Sequence, residues 1–281
     1  MSDLDIRPMR RQDLDTALGW ARDEGWNPGL GDADPFYAAD PSGFLMGWLG
    51  EQPIGCISVV KYGTGFAFLG LYIVRPEHRG KGHGKAIWDA GIASASGHTI
   101  GLDGVVAQQD NYRKSGFALA HKSARWGGGA KPIGVPGQHV VAVTANHLDA
   151  VVGYDRKHFP DERRAFLGAW LQPSANRMSA VALHDDAVIG YGTIRKAGTG
   201  WKVGPLFADS AATADQLLDS LIAMSDADAI FIDIPEPNAA ALGLARARGL
   251  SPAFETARMY LGIAPDLPLG EIFGITTLEL G

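Results

Sequence analysis

The spacing of apolar and polar residues along the first half of the chain predicts several strands, followed by a strand, helix and strand unit. Alternating apolar positions bounded by turn residues mark strands, and apolar positions three and four apart mark helices. The predicted elements are a strand at 5–9, a helix at 14–23, a short helix near Phe36, strands at 43–49, 54–61 and 66–74, a helix at 84–96, a strand at 99–105, a helix at 109–115 and a strand at 117–126. This order indicates a mixed, mostly antiparallel sheet flanked by helices, an α+β fold.

The second half of the chain repeats the first. LDTALGWAR at 14–22 matches LDAVVGYDR at 148–156, an offset of 134. IGCISVVKYGTGF at 54–66 matches IGYGTIRKAGTGW at 189–201 with an offset of 135, and SAR at 123–125 matches TAR at 256–258 with an offset of 133. Three matches in the same order at nearly constant spacing predict two copies of one fold.

A stretch rich in glycine and proline separates the two copies. GGGAKPIGVPGQ at 127–138 has no apolar period, which is typical of a linker. We therefore expect a first domain at 1–127, a linker at 128–138 and a second domain at 139–281.

Composition narrows the class of protein. The 281 residues are 46% hydrophobic, which suits globular domains, and the single cysteine, Cys56, excludes an internal disulfide framework. The acidic start MSDLDIRPM is no signal peptide, and the apolar runs are too short to span a membrane. We expect a cytoplasmic protein with no membrane partner. A net charge of −6 also argues against a nucleic-acid partner.

The sequence RPEHRGKGHGK at 75–85 places three glycines between a predicted strand and a predicted helix, a position that commonly holds phosphate. A P-loop would need glycine at position 79, where Arg79 stands, and a hydroxyl at position 86, where Ala86 stands. A Rossmann turn would need glycine at 85 or 87, which are Lys85 and Ile87. Both of these nucleotide loops are excluded by spacing.

The remaining pattern, RGKGHG at 79–84, resembles the signature (Gln/Arg)-x-x-Gly-x-(Gly/Ala) that opens the long helix of GNAT N-acetyltransferases. The resemblance implies that successive backbone N–H groups hold the pyrophosphate of coenzyme A, with basic side chains beside them. A solvated glycine turn with incidental charge is the alternative. The coenzyme contacts implied here are Arg79, Gly80, Lys81, Gly82, His83, Gly84 and Lys85.

Two further stretches fit the GNAT family. The end of the strand predicted at 66–74 would expose backbone at Ile73 and Val74 to the pantetheine arm of acetyl-CoA. YRKSGF at 112–117 matches the family pattern Y-x-x-x-G-F, which implies that Tyr112 protonates the leaving thiolate; a tyrosine that only packs on the sheet is the alternative. Val105 replaces an asparagine that the family often carries, and Asn111 is the residue expected to compensate.

The second copy lacks both of these features. The positions equivalent to RGKGHG read ADQLLD at 214–219, without glycine or a basic residue, and Ala245 stands where the first copy has Tyr112. The second domain therefore resembles the degenerate domain of tandem GNAT proteins, with the role of packing on the first and closing one side of the acceptor cleft. A second active domain is the alternative.

The reaction that the resemblance implies is direct attack of an amine on acetyl-CoA in a ternary complex. The strand predicted at 66–74 has no Asp or Glu, so another group or a water chain must take the proton. Glu24 and Asp103 are the candidate general bases; a plain surface or structural carboxylate is the alternative for each. The acidic loop at 23–36 suits a cationic amine, although it also fits a solvated loop with one anchoring Trp. The predicted acceptor contacts are Trp26, Asn27 and Asp103.

No histidine or cysteine pattern has metal-ligand spacing, so we expect no metal. The sequence therefore predicts an acetyl-CoA-dependent N-acetyltransferase acting on a primary amine of a small molecule, such as a polyamine or an amino-acid-like acceptor. A coenzyme-A-binding sensor without turnover is the alternative. The sequence leaves open which amine is used and whether the chain forms a homodimer.

Overall fold

The computed structural model describes residues 4–131, 133–134, 137 and 139–281. In the first half its elements follow the predicted order. They are β1 (Leu4–Pro8), α1 (Arg11–Asp23), α2 (Ala33–Ala39), β2 (Phe44–Leu49), β3 (Gln52–Tyr62), β4 (Phe66–Val74), α3 (His83–Ser94), β5 (Thr99–Val105), α4 (Gln109–Lys114) and β6 (Ala118–Gly129).

The second half repeats this order of helices and strands, which confirms the prediction of two copies. Its elements are β7 (Val140–Ala142), α5 (Leu148–Asp155), α6 (Arg164–Trp170), β8 (Arg177–His184), β9 (Ala187–Lys196), β10 (Trp201–Ala208), α7 (Ala211–Met224), β11 (Ala229–Pro235), α8 (Ala239–Ala247), β12 (Ser251–Leu261) and β13 (Ile272–Gly274). The α+β class is confirmed as well.

Helix α1 shows why sequence predicts elements better than their ends. Its buried residues are Leu14, Ala17, Leu18 and Ala21, the i, i+3, i+4, i+7 stripe from which the helix was predicted. The helix begins three residues earlier than the predicted start, in a polar first turn where the Asp13 carboxylate accepts from the Arg10 backbone N–H at 2.9 Å. A solvent-exposed turn carries no apolar signal.

The two copies exchange their last strands and share one sheet. The strand order is β1-β2-β3-β4-β5-β12-β6-β11-β10-β9-β8-β7, so β12 of the second copy lies between β5 and β6 of the first. Strand β6 in turn pairs with β11 of the second copy. The SAR and TAR segments of the repeat lie side by side, with Thr256 opposite Ser123. The sequence predicted two sheets and gave no sign that they join.

Two ion pairs related by the repeat cross between the copies. Arg258 on β12 donates to both carboxylate oxygens of Asp103 on β5, each at 2.8 Å. Arg125 on β6 donates to Asp233 on β11 at 2.7 and 2.9 Å. All four side chains are at most 7% exposed. Removing one partner would leave the other charge buried alone, so these pairs hold the exchange in place.

The helices α1 and α2 of the first copy and α5 and α6 of the second pack on the same core. Phe36 of α2 stacks on Trp170 of α6, with ring centroids 6.3 Å apart. This cluster contains buried residues from both halves, whereas two smaller clusters lie under α3 and under α7 and α8. The halves therefore share apolar surface and are not separate folding cores.

The predicted domain boundaries stay a prediction. Strand β6 continues to Gly129, so Gly128 and Gly129, the first two residues of the predicted linker, pair with β11. Residues 132, 135, 136 and 138 of that linker lie outside the described residues.

Candidate active site

A cleft opens where β4 and β5 separate. The two strands pair in parallel only from Phe66 opposite Thr99 to Leu69 opposite Leu102. Beyond that point β4 contains a bulge, and Leu71 within it has a φ of 45°, which is unusual for a residue with a side chain. The backbone from 70 to 74 therefore has no strand partner on the β5 side. The cavity that results has a volume of about 510 Å³.

The glycine turn forms one end of this cleft. Gly80 and Gly82 adopt φ values of 72° and 85°, in the left-handed region that glycine favours, and Gly82 is the residue that caps α3. The first N–H groups of a helix have no acceptor within the helix, so they are available to an anion. Gly80 and Gly84 line the cavity. This geometry suits the pyrophosphate predicted from the sequence.

The basic side chains of the turn mostly have partners in the protein. Arg79 donates from Nε to the carbonyl of Val74 at 2.7 Å and pairs with Glu24. The Lys81 Nζ donates to the Glu77 carbonyl at 2.8 Å, and Lys85 pairs with Asp89. Arg79 thus fixes the turn against the end of β4. Because these side chains have partners, the backbone N–H groups are the donors of the turn that remain available to an anion. The ring of His83 lies 6.4 Å from that of His78.

Tyr112 lines the opposite wall of the cleft. Its ring stacks on Trp88, with centroids 5.5 Å apart and planes 21° apart, and a Cβ on Gly104 would lie 2.8 Å from it. Burial raises the pKa of Tyr112 to about 12, with a smaller contribution from Tyr72. The phenol therefore carries its proton throughout the neutral range, as a proton donor must.

The other predicted coenzyme contacts divide between the cleft and the surface. Ile73 and Val74 line the cavity at the free edge of β4. Asn111 is exposed, lies outside the lining and donates to Gln108 at 2.8 Å, whereas Gln108 itself lines the cavity. Gln108, and not Asn111, therefore lines the cavity.

Two neighbouring residues, Trp26 and Asn27, were predicted to contact the acceptor, and one of them lines the cleft. Trp26 lines the cavity, and its carbonyl accepts from Arg125 at 3.0 Å. Asn27 lies outside the lining, because its amide bonds in both directions with the Thr199 backbone, at 2.9 Å each. Asn27 therefore joins the α1–α2 loop of the first copy to the β9–β10 turn of the second.

Both candidate bases line the cavity, but each forms an ion pair with an arginine. Asp103 is held by both of its oxygens in the pair with Arg258, and its side chain has no exposed surface. Glu24 is 33% exposed and pairs with Arg79. In this structure the carboxylate oxygens of both residues are therefore engaged by guanidinium groups.

The second copy contributes four cleft residues that sequence analysis missed. Phe254 and Thr256 belong to β12, and Leu278 and Glu279 belong to the segment that follows β13. The strand exchange brings β12 next to β5, and the C-terminal segment passes Gly70, where a Cβ would lie 2.2 Å from the Glu279 carbonyl oxygen. No motif marks these residues, because only the pairing of distant strands places them here.

The cleft of the second copy is filled by the chain itself. Strands β10 and β11 pair only from Trp201 opposite Ile230 to Val203 opposite Ile232, the same kind of opening as between β4 and β5. Strand β13 pairs with β10 at this opening, with Phe207 opposite Ile272. The start of α7 is capped by Ser210, which accepts from the Thr213 N–H at 3.1 Å. The strand edge at this opening is thus taken by β13, and the side chain of Ser210 accepts from one of the first N–H groups of α7.

The comparisons with known proteins agree with this geometry. Residues 11–117 match the model of the acetyltransferase (GNAT) family, and residues 151–274 match an acetyltransferase (GNAT) domain. Over 282 residues, 98% of this chain and 94% of the relative, the sequence is 31% identical to the holothin acyltransferase of Pseudoalteromonas sp. (strain SANK 73390). The chain belongs to the GNAT acetyltransferase family.

Solved structures support the same fold for this tandem GNAT protein. A putative acetyltransferase from Pyrococcus horikoshii has a TM-score of 0.84 at 23% identity, covering 100% of this chain and 97% of the other. A tandem GNAT protein from the clavulanic acid biosynthesis pathway has a TM-score of 0.64 at 14% identity, covering 94% and 100%. Both halves are GNAT domains, which confirms the predicted architecture.

Metal-ligand groups and membrane-spanning helices were both sought in this GNAT protein. Within the described ranges, no group of three or more His, Cys, Asp or Glu side chains is arranged to hold a metal ion. In the same part of the chain, no helix combines the length and the apolar character needed to cross a membrane.

The segment that fills the second cleft depends on one asparagine, and Asn238→Ala should lower the free energy of unfolding by about 2 kcal/mol. The Asn238 side chain caps α8 by accepting from Ala241 at 2.9 Å, and it donates to the carbonyls of Gly270 and Ile272 at 3.1 and 3.0 Å. Urea denaturation measures the change. Asn146→Ala, at an exposed asparagine, is the matched control, and equal stability of the two variants would contradict this role.

Proposed function

We propose that this protein transfers an acetyl group from acetyl-CoA to a primary amine of a small molecule, by direct attack in a ternary complex. One observation carries the proposal. A single cleft is lined by Gly80 and Gly84 of the turn that opens α3, by an unpaired strand edge at Ile73 and Val74, and by the neutral phenol of Tyr112. These are the groups needed to hold a pyrophosphate, a pantetheine arm and a leaving thiolate.

The residues of the cleft suggest how they would divide the reaction. The amine nitrogen bonds to the carbonyl carbon of the thioester, and the bond from that carbon to sulfur breaks. A backbone N–H near Ile73 is placed to donate to the oxygen that becomes negative. Tyr112 offers its proton to the departing thiolate, and holding both reactants in one cleft supplies much of the rate.

The wall opposite the coenzyme favours an acceptor with both apolar and cationic character. Trp26, Phe254 and Leu278 supply apolar surface, and Glu279 supplies negative charge. An aromatic face and a carboxylate together attract an ammonium group. The related protein is named as a holothin acyltransferase, which supports acyl transfer as the class of reaction.

The test is release of coenzyme A thiol from acetyl-CoA in the presence of a panel of polyamines, amino acids and aromatic amines. We expect turnover with at least one primary amine and an acetylated product of that amine by mass spectrometry. Acetyl-CoA binding without turnover on the whole panel would contradict the proposal and favour a coenzyme-binding sensor. That second function is favoured by one observation, the pairing of Glu24 and Asp103 with arginines.

A further inference from the structure

Glu279 is a buried residue that lines the cleft, and its carboxylate has no hydrogen-bond partner among the described residues. The residue is 2% exposed and lines the same cavity as Ile73 and Tyr112. Its Oε2 atom is enclosed by the protein and makes no hydrogen bond to any of the residues that the structure describes. Burying an unpaired carboxylate is costly, so a carboxylate of this kind on a residue that lines a cleft points to a partner that arrives with the ligand.

The backbone around Glu279 is held in place by its neighbours. Tyr62 donates from its hydroxyl to the Leu280 carbonyl at 3.1 Å, and the Leu280 N–H donates to the Thr277 hydroxyl at 2.9 Å. The side chains of Thr277 and Leu280 are fully buried. The Glu279 carbonyl lies against Gly70, where the cleft begins. Glu279 is therefore held by the protein independently of any ligand.

Two cations lie close enough to affect the charge of Glu279. The negative charge of Glu279 contributes upward to the pKa of Arg125 on β6 and to that of Lys202 on β10. Arg125 already uses its donors on Asp233 and on the Trp26 carbonyl. The Lys202 Nζ makes no hydrogen bond within the described ranges, and burial lowers the pKa of Lys202 to about 8. Neither cation forms an ion pair with the Glu279 carboxylate within the described ranges.

The other ionisable side chains of the cleft differ from Glu279 in this respect. They are Glu24 with Arg79, Asp103 with Arg258, and the phenols of Tyr72 and Tyr112. Both other carboxylates are neutralised by arginine, and burial raises the pKa of both phenols. Among the carboxylates that line the cleft, Glu279 is thus the one without an arginine partner in the part of the chain that the structure describes.

We propose that Glu279, supplied by the second domain, is the general base that takes the proton of the acceptor amine. This inference rests on the proposed acetyl transfer. As the bond from nitrogen to the acetyl carbon forms, the N–H proton passes to the Glu279 carboxylate, the bond from carbon to sulfur breaks, and the thiolate receives the Tyr112 proton. The amide and coenzyme A leave, and water returns the proton of Glu279 to Tyr112, which balances the cycle. The degenerate domain would then be part of the catalytic site.

The test compares Glu279→Gln with Glu255→Gln, using the amine of the panel that is turned over fastest. Glu255 lies between two cleft residues on β12, but it is exposed and pairs with Lys122. We expect Glu279→Gln to lower kcat by roughly 100-fold to 10,000-fold. Its KM for acetyl-CoA should stay within about twofold, because the coenzyme turn is untouched. The loss should shrink toward alkaline pH, where hydroxide can replace the base. Glu255→Gln should match the wild type.

Rescue by a small carboxylate separates a base from a packing residue. Glu279→Ala should regain turnover when formate is added, since the cleft can admit it, and the same concentration of chloride should have no effect. Circular dichroism and the midpoint of thermal unfolding verify that each variant is folded.

Three outcomes would overturn the inference. Unchanged kcat in a folded Glu279→Gln variant would show that another group takes the proton. A raised amine KM with normal kcat and no change in the pH profile would make Glu279 an anchor for the amine and not a base. A wild-type protein that binds acetyl-CoA but turns over no amine would overturn the proposed function, and this role of Glu279 with it.

Discussion

Gly82→Glu is expected to lower the affinity for acetyl-CoA by at least roughly 100-fold, measured by isothermal titration calorimetry. Gly82 caps α3 with a φ of 85°, between Gly80 and Gly84, which line the cleft. A glutamate there places negative charge where the diphosphate would lie. A Cβ at Gly82 meets no atom within 4 Å, so the side chain itself clashes with nothing, and the backbone strain at this φ is matched by the control.

The same substitution at the far end of α3 is the matched control. Gly97 is exposed, has a φ of 88°, and a Cβ there also meets nothing within 4 Å. Gly97→Glu therefore carries the same backbone strain, about 1 to 2 kcal/mol, and the same added charge. We expect it to lose stability to a similar extent and to bind acetyl-CoA normally. Equal affinity of the two variants would remove the coenzyme from the glycine turn.

Tyr112→Phe is expected to lower kcat by roughly 100-fold to 1,000-fold, with little change in acetyl-CoA binding. Phenylalanine keeps the stacking on Trp88 and the fit against Gly104, and it removes only the hydroxyl. Loss of rate without loss of binding is the signature of a group that acts in the transition state. Steady-state kinetics with the best amine of the panel, together with calorimetry, measures both quantities.

A second tyrosine in the same cleft provides the control. The Tyr72 hydroxyl lies beside Gly84 at the start of α3, where a Cβ would approach it to 2.9 Å. Tyr72→Phe should affect coenzyme binding more than turnover. Since the pKa of Tyr112 is about 12, its acid form persists as the pH rises, and its ionisation should not lower kcat below about pH 11. Normal kcat in Tyr112→Phe would leave this tyrosine a packing residue.

The second domain differs from the first in a way that explains its degeneracy. It has lost the glycine turn and the tyrosine, and β13 fills the opening between β10 and β11. The same C-terminal segment then runs past Gly204 and Gly70, the glycines at the two strand openings. One segment therefore occupies the strand opening of the second copy and also contributes residues to the cleft of the first copy.

The sequence revealed part of the site because some functions depend on local spacing. The glycines of 80–84 lie next to one another in the chain, and α3 must follow them for the turn to work. Their positions therefore excluded two other phosphate loops, and their resemblance to the GNAT signature predicted a coenzyme site. Tyr112 was predicted from a resemblance of the same kind, and Gly80, Gly84 and Tyr112 line the cleft.

Local patterns were less reliable for residues whose partners lie far along the chain. Asp103 looked like a free carboxylate, but Arg258, 155 positions later, occupies it. Asn27 looked like a loop contact for the acceptor, but the turn at Thr199 holds it. A carboxylate or an amide has the same letter in the sequence whether or not it is paired, so its availability cannot be read locally.

By itself, the sequence determined the order of elements and their duplication, and it predicted a coenzyme turn in the first copy, because all three depend on neighbouring residues. Only the tertiary structure decided that β12 lies between β5 and β6, and that Phe254, Thr256, Leu278 and Glu279 share a cleft with Tyr112. The two last strands are equivalent copies of one element. Each could pair within its own copy or with the other copy, and the alternation of buried residues would be the same in both arrangements. The free energy of the assembled sheet and core therefore selects the exchange.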